Sequence, residues 1–199
     1  MNDKHALAAI FALDLKGEKT DAAALSARLG LRADEARREI EGLRKRGLVS
    51  VVRGRARVTP KGRKSIKVVF IGGSFELIHY GHAYTIGKAK SLGDALVVSV
   101  ARDSTIRKRK KREPIINEQD RVRLLSSLRE VDAAILGVEG DIYVTLERVK
   151  PDIVALGYDQ YHLEGEVKRE AARRGMKLKV VRLDSPYPEI KTTKILNEL

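Results

Sequence analysis

No cysteine occurs among the 199 residues, so the chain can build neither a disulfide nor a thiolate metal site, and a cytoplasmic location is expected. Tryptophan is also absent, and aromatic residues make up only 5% of the chain, which leaves a core to be built from aliphatic side chains. No apolar stretch approaches the twenty or so residues of a membrane helix, and the N-terminus has no apolar signal-peptide core, so no membrane partner is expected. Negative charge is in short supply. Forty Lys and Arg face 27 Asp and Glu, a net charge of +13. Residues 1–65 hold 16 cations against 8 anions, and residues 66–199 hold 24 against 19. A small, strongly basic segment points to a polyanion partner, although a solvated basic surface has the same composition.

The chemistry centres on Ile71-Gly72-Gly73-Ser74-Phe75-Glu76-Leu77-Ile78-His79-Tyr80-Gly81-His82. The apolar run 66–71 before it reads as a buried parallel strand. After it, Ala83, Ile86, Ala89 and Leu92 recur at helical spacing. Strand, glycine turn, polar loop and helix is an arrangement that holds phosphate: two glycines let the backbone approach, and a helix start offers N–H groups and a positive dipole end. His79 and His82, three apart, can both face one anion.

Gly73-Ser74-Phe75-Glu76 followed by His79-Tyr80-Gly81-His82 resembles the (T/S)-F-D…H-x-G-H signature of the cytidylyltransferase-like nucleotidyltransferases, with Glu76 where Asp is usual. The resemblance implies a Rossmann-like α/β domain that transfers a nucleotidyl group and releases pyrophosphate. It further implies that His79, His82 and Lys110 are catalytic, and that Gly73, Ser74, Phe75, Gly81 and Lys108 cradle the nucleotide. Mg²⁺ would arrive with the nucleotide, with no protein ligand firmly assigned.

Strands are expected over 96–101, 131–137 and 151–157, with a helix over 142–149. Arg107-Lys108-Arg109-Lys110-Lys111-Arg112 reads as a loop of six cations at the ligand edge of the sheet, where several would be solvated and Lys108 and Lys110 would meet a triphosphate. Glu118 and Arg121 match an E-x-x-R of the family, either as a contact to the acceptor or as a surface ion pair. Asp159, at a strand end, serves the nucleotide or Mg²⁺, or caps a helix. Ile190-Lys191-Thr192-Thr193-Lys194-Ile195 is similar to the family's phosphate-binding ending, with Lys191 where Ser is usual; Thr192 and Thr193 as a helix cap is the other reading. "ARDSTIRKRKKREPII", "VDAAILG" and "PDIVALGYDQ" look more like archaeal FAD synthase, which adenylylates FMN with ATP, than like the cytidylyltransferases.

Upstream, helices are expected near 5–16, 22–29 and 33–46, followed by two strands joined by Arg53-Gly54-Arg55. "LSARLGLRADEARREIEGLRKRGLV" and "VTPKG" resemble a winged helix-turn-helix domain. That resemblance puts Arg32, Arg37, Arg38 and Arg44 on or near a recognition helix and Arg53, Arg55 and Arg57 on a wing. Such a module binds DNA or serves as a docking surface.

The reading is therefore a winged helix over 1–65 and an α/β Rossmann-like nucleotidyltransferase over 66–199. ATP and FMN are the expected substrates, DNA is a candidate partner, and the family's habits allow a homodimer. The alternatives are a CTP-dependent enzyme acting on glycerol-3-phosphate or a similar alcohol phosphate, and a transcription regulator that senses a nucleotide.

Overall fold

Three helices lead the chain, each with a legible start and stop. A computed structural model describes residues 2–158, 160, 163–190 and 192–197, without the side chains of Thr193, Leu196 and Asn197. It gives α1 (Asp3–Leu15), α2 (Ala22–Leu29) and α3 (Ala33–Lys45). The Asp21 carboxylate caps α2 by accepting from the Ala24 N–H at 2.9 Å, and Gly30 ends it in the left-handed conformation. Glu35 reaches back to the Arg32 N–H at 2.8 Å and fixes the start of α3. An antiparallel hairpin follows, β1 (Val49–Val52) with β2 (Arg55–Val58). Arg53 and Gly54 both have positive φ, as the tight two-residue hairpin turn demands. A short α4 (Pro60–Lys64), capped by Thr59, occupies a stretch that the sequence reading left without a helix.

The chain divides at Lys67–Val68, two residues beyond the expected boundary. The second unit is an α/β sheet of five parallel strands: β3 (Val68–Gly73), β4 (Ala95–Val100), β5 (Ala133–Leu136), β6 (Ile153–Leu156) and β7 (Lys179–Arg182). Their order is β5-β4-β3-β6-β7. Helices α5 (Tyr80–Lys90), α6 (Asp103–Lys110), α7 (Glu118–Ser126), α8 (Ile142–Val149), α9 (Glu164–Arg173) and α10 (Thr192–Asn197) connect or follow the strands. Val69, Ile71, Leu96, Val98, Val100, Ile86 and Leu125 form a buried cluster, each contributing roughly 1.5–3 kcal/mol by leaving water. Among the described residues no helix is long and apolar enough to cross a membrane.

Two aspartates set the strand register from below. The Asp152 carboxylate accepts from the Val68 N–H at 2.7 Å, and that of Asp132 accepts from the Leu96 N–H at 2.7 Å and from the Lys90 ammonium at 2.5 Å. Each aspartate precedes its own strand and ties the start of a neighbouring one. The upper, carboxyl ends of the strands are thereby aligned, and the loop that follows β3 starts from that edge.

Candidate active site

The winding of the sheet reverses between β3 and β6, which opens a crevice at their carboxyl ends. The loop from Gly73 to His82 leaves β3 at that point. Phe75 has φ of +49°, a strained conformation for an aromatic residue, and is almost fully buried. The turn lays its ring over Gly73, where a Cβ would stand 2.9 Å from the ring. Gly81 plays the same part for His79, whose ring would lie 3.2 Å from a Cβ at position 81. Relieved of both side chains, the rings pile up. His79 stacks on His82 with centroids 3.9 Å apart, and Phe75 meets His82 at 5.3 Å. Nδ1 of both histidines is turned inward, while each residue keeps part of its surface exposed. The pair sits at the start of α5, His79 being its N-cap, where the helix end attracts negative charge.

Glu76, fully buried, collects the cations. It pairs with Lys110, whose ammonium also donates to Ser74 Oγ at 3.1 Å, and it receives both Arg112 Nη atoms, at 2.7 and 3.1 Å. Burial pushes the Glu76 carboxyl up, but the hydrogen bonds from Arg112 and Lys110, with their charges, outweigh it and leave the group below the usual carboxylate range. Lys110 is thus held against the same loop that carries the histidines.

The basic run is not the loop expected of it. Arg107 to Lys110 form the end of α6, and Lys111 ends the helix at φ +55°. Glu118 secures the other end of α6 by accepting from the Asp103 N–H at 2.8 Å and from Arg102 at 2.7 Å. Lys108 is exposed and bonds no described residue. Arg121 is a second correction. Instead of facing an acceptor or pairing with Glu118, it is fully buried, donating to Ser74 O at 2.5 Å, Ile116 O at 2.9 Å and Asp103 Oδ1 at 2.6 Å. It therefore clamps the loop after β3 to α6. Thr192 opens α10, and its hydroxyl reaches the Leu77 carbonyl at 3.5 Å. Asp159 and the Thr193 side chain lie outside the described residues.

In the first unit, Arg37 and Arg38 are exposed on α3, Arg38 paired with Asp34 at 2.9 Å. Arg53 and Arg55 are exposed at the hairpin tip, and neither their side chains nor that of Arg37 bonds any described residue.

A family model for cytidylyltransferase-like domains matches residues 70–198, which covers this entire site. The chain belongs to the cytidylyltransferase-like family. It is 47% identical to an FAD synthase of Methanothermus fervidus over 132 residues, 64% of this chain and 90% of that protein. An FAD synthase of Thermococcus onnurineus is 42% identical over 140 residues, 69% and 93% of the two chains. The crystal structure of a lipopolysaccharide core biosynthesis protein from Thermoplasma volcanium superposes with a TM-score of 0.59 at 44% identity, covering 60% of this chain and 98% of that one.

Within this cytidylyltransferase-like site, three contributors escaped the sequence reading as site residues. Arg112 and Glu76 were visible only as members of a run and a motif. Gln160 bridges the crevice, donating to Gly72 O at 2.5 Å and accepting from the Gly157 N–H at 3.2 Å. Its one signal was its position just past a strand end.

Proposed function

We propose that the second unit is an FMN adenylyltransferase that makes FAD and pyrophosphate from ATP and FMN. The observation that carries this reading is that His79 and His82 follow one glycine-built loop at the crevice between β3 and β6 and that the Lys110 ammonium, from α6, is held against the same loop. An oxygen of the FMN phosphate bonds to the α-phosphorus as the bond from that phosphorus to the pyrophosphate oxygen breaks. The acceptor is already an anion, so no side chain need act as nucleophile. What the protein supplies is charge: imidazole N–H groups, the start of α5 and the Lys110 ammonium meet the negative charge that builds on the α-phosphoryl oxygens and the leaving group. FMN and ATP are preferred to an alcohol phosphate and CTP because the relatives that this chain resembles at 42–47% identity over most of their length are FAD synthases.

Among the described residues no group of three or more His, Asp or Glu could hold a metal ion. A divalent cation would therefore be carried mainly by phosphate oxygens and water, its charge easing departure of pyrophosphate. The compartment is read as cytoplasmic, because a chain without cysteine draws nothing from an oxidising one.

Pyrophosphate release tests the reading directly, with ATP or CTP crossed against FMN, glycerol-3-phosphate and phosphoethanolamine. Release with ATP and FMN alone is expected. Release with CTP and an alcohol phosphate would replace both substrates, and silence across the grid would favour a nucleotide sensor.

For the first unit we infer a duplex DNA partner. The exposed, unpaired Arg37, Arg53 and Arg55, in a segment of net charge +8, support it. The expected signature is affinity for genomic fragments that falls steeply with salt, by a slope of about 0.9 per phosphate contacted. Absence of a mobility shift at low salt would leave this unit a docking module.

A further inference from the structure

The chain has only six tyrosines, three phenylalanines and no tryptophan, yet four of the tyrosines meet at residues 187–188, two of them from the helix that follows His79. Tyr80 stands between His79 and Gly81 and is 61% exposed. Its ring meets that of Tyr187 edge to face, with centroids 4.8 Å apart and planes at 70°. Tyr84, one turn further along α5, meets Tyr187 at 5.7 Å and 81°. Tyr158 donates its hydroxyl to Pro188 O at 2.9 Å, tying the end of β6 to the same segment.

That segment, Ser185-Pro186-Tyr187-Pro188, is stiff. Prolines on both sides of Tyr187 restrict the backbone, the Tyr187 N–H donates to Ser185 Oγ at 3.1 Å, and the Ile190 N–H donates to Tyr187 O at 3.2 Å. A hydrogen bond shared with Tyr80 pushes the Tyr187 phenol up. An edge-to-face pair orients a ring without covering both of its faces. In a protein that spends aromatic residues so sparingly, a large ring left open and braced from the side is prepared for another flat ring.

We propose that Tyr80, braced by Tyr187 and Tyr84, is a stacking platform for the planar heteroaromatic ring of a substrate. The proposal rests on the adenylyltransferase reading, in which both substrates carry such a ring: adenine on the donor and isoalloxazine on the acceptor. Each ring is tethered to a phosphate that must come to His79 and His82, which brings one of them within reach of the adjacent Tyr80.

Calorimetric titration of the full chain with FMN, and separately with a non-hydrolysable ATP analogue, tests it in the wild type, Tyr80→Ala and Tyr80→Phe. Truncating an exposed side chain leaves the fold in place. Tyr80→Ala is expected to weaken one ligand about tenfold, as loss of base–aromatic stacking does elsewhere. Weakening of the ATP analogue identifies adenine as the stacked ring, and weakening of FMN identifies isoalloxazine. Tyr80→Phe, which keeps the ring, is expected to recover the affinity. The platform is overturned if Tyr80→Ala binds both ligands within about twofold of wild type, if Tyr80→Phe fails as badly as Tyr80→Ala, or if the wild type binds neither ligand. Pyrophosphate release measured alongside separates the two ideas. A wild type that shows the Tyr80 dependence without turnover sinks adenylyl transfer alone. One that turns over, with affinities indifferent to Tyr80, sinks the platform alone.

Discussion

Lys110 and Arg112 share one buried carboxylate, whereas the side chains of Arg53 and Arg55, at the tip of the hairpin, bond no described residue. As sequence the two stretches look alike: short, basic and without apolar residues. What separates them is a counter-charge placed 34 and 36 residues upstream. Taking an ionised carboxylate out of water costs several kcal/mol, and Glu76 bears that cost only because two cations and three hydrogen bonds meet it. The cations are oriented in return. The side chains of Arg37, Arg53 and Arg55 stay in solvent, where they can answer any polyanion but are held in no particular geometry. Local charge density reports an electrostatic field, and a buried counter-ion turns a field into a site.

That contrast can be broken by substitution. Replacing Lys110 by Ala should be the costliest for function, lowering pyrophosphate release with ATP and FMN about 10²- to 10³-fold, the usual loss for a preorganised transition-state donor. Undiminished turnover would mean that the tethered lysine serves only the fold. Next comes Glu76→Gln. Its partners are each about one-third exposed, so water takes over part of their solvation, and a loss of about 2 kcal/mol in urea denaturation at neutral pH is expected.

The same variant carries a pH signature. The Glu76 pKa is lower in the folded chain than in the unfolded one, so its contribution is complete above the ordinary glutamate value of about 4.3 and is lost as pH falls through the lower folded value. The stability gap between wild type and Glu76→Gln should therefore close as the solution is acidified through that window. A gap that persists in acid would assign the loss to packing. The smallest effect is expected from the double variant Arg53→Ala/Arg55→Ala, which should alter stability by less than about 0.5 kcal/mol. On DNA it should flatten the salt dependence by about two phosphate contacts. A large stability loss would show that these arginines are anchored after all.

The parts of the fold that the sequence reading recovered are those whose signals are local. Helices α2 and α8 carry their own caps, Asp21 and Gly30 for the first and Asp141 for the second, and both match the expected ranges. Strands β3, β4, β5 and β6 are apolar runs, interrupted only by the buried Ser99 in β4, because neighbours cover both of their faces. Strand β7 carries no such signal because it is only partly buried, and Lys179-Val180-Val181-Arg182 offers just two apolar residues between two cations. Helix α9 buries only Val167 and Ala171, and six of its ten residues are charged.

At the site, the histidine pair and its glycines were legible because their spacing is short. The basic run reads as a loop because uninterrupted runs of like charge are ordinarily solvated and unstructured. Its helix survives through distant partners: Glu118 at one end, Glu76 at the other and the buried Ile106 between them. For Arg121 the E-x-x-R resemblance offers an acceptor contact and the spacing offers Glu118 three residues away, while its partner Asp103 lies 18 residues upstream.

The central place of β3 shapes how the chain comes off the ribosome. It is the first strand of its sheet to be made, and one of its edges waits for β6, whose first paired residue is Ile153. The bond between the Val68 amide and Asp152 closes a loop of 84 residues. Parallel pairings of such long range form slowly, and an apolar strand with an open edge invites association between nascent chains in the interval. During that wait the segment already synthesised carries eight net positive charges, which hold neighbouring nascent chains apart. Expression of the second unit without its basic leader is where that protection would be missed first.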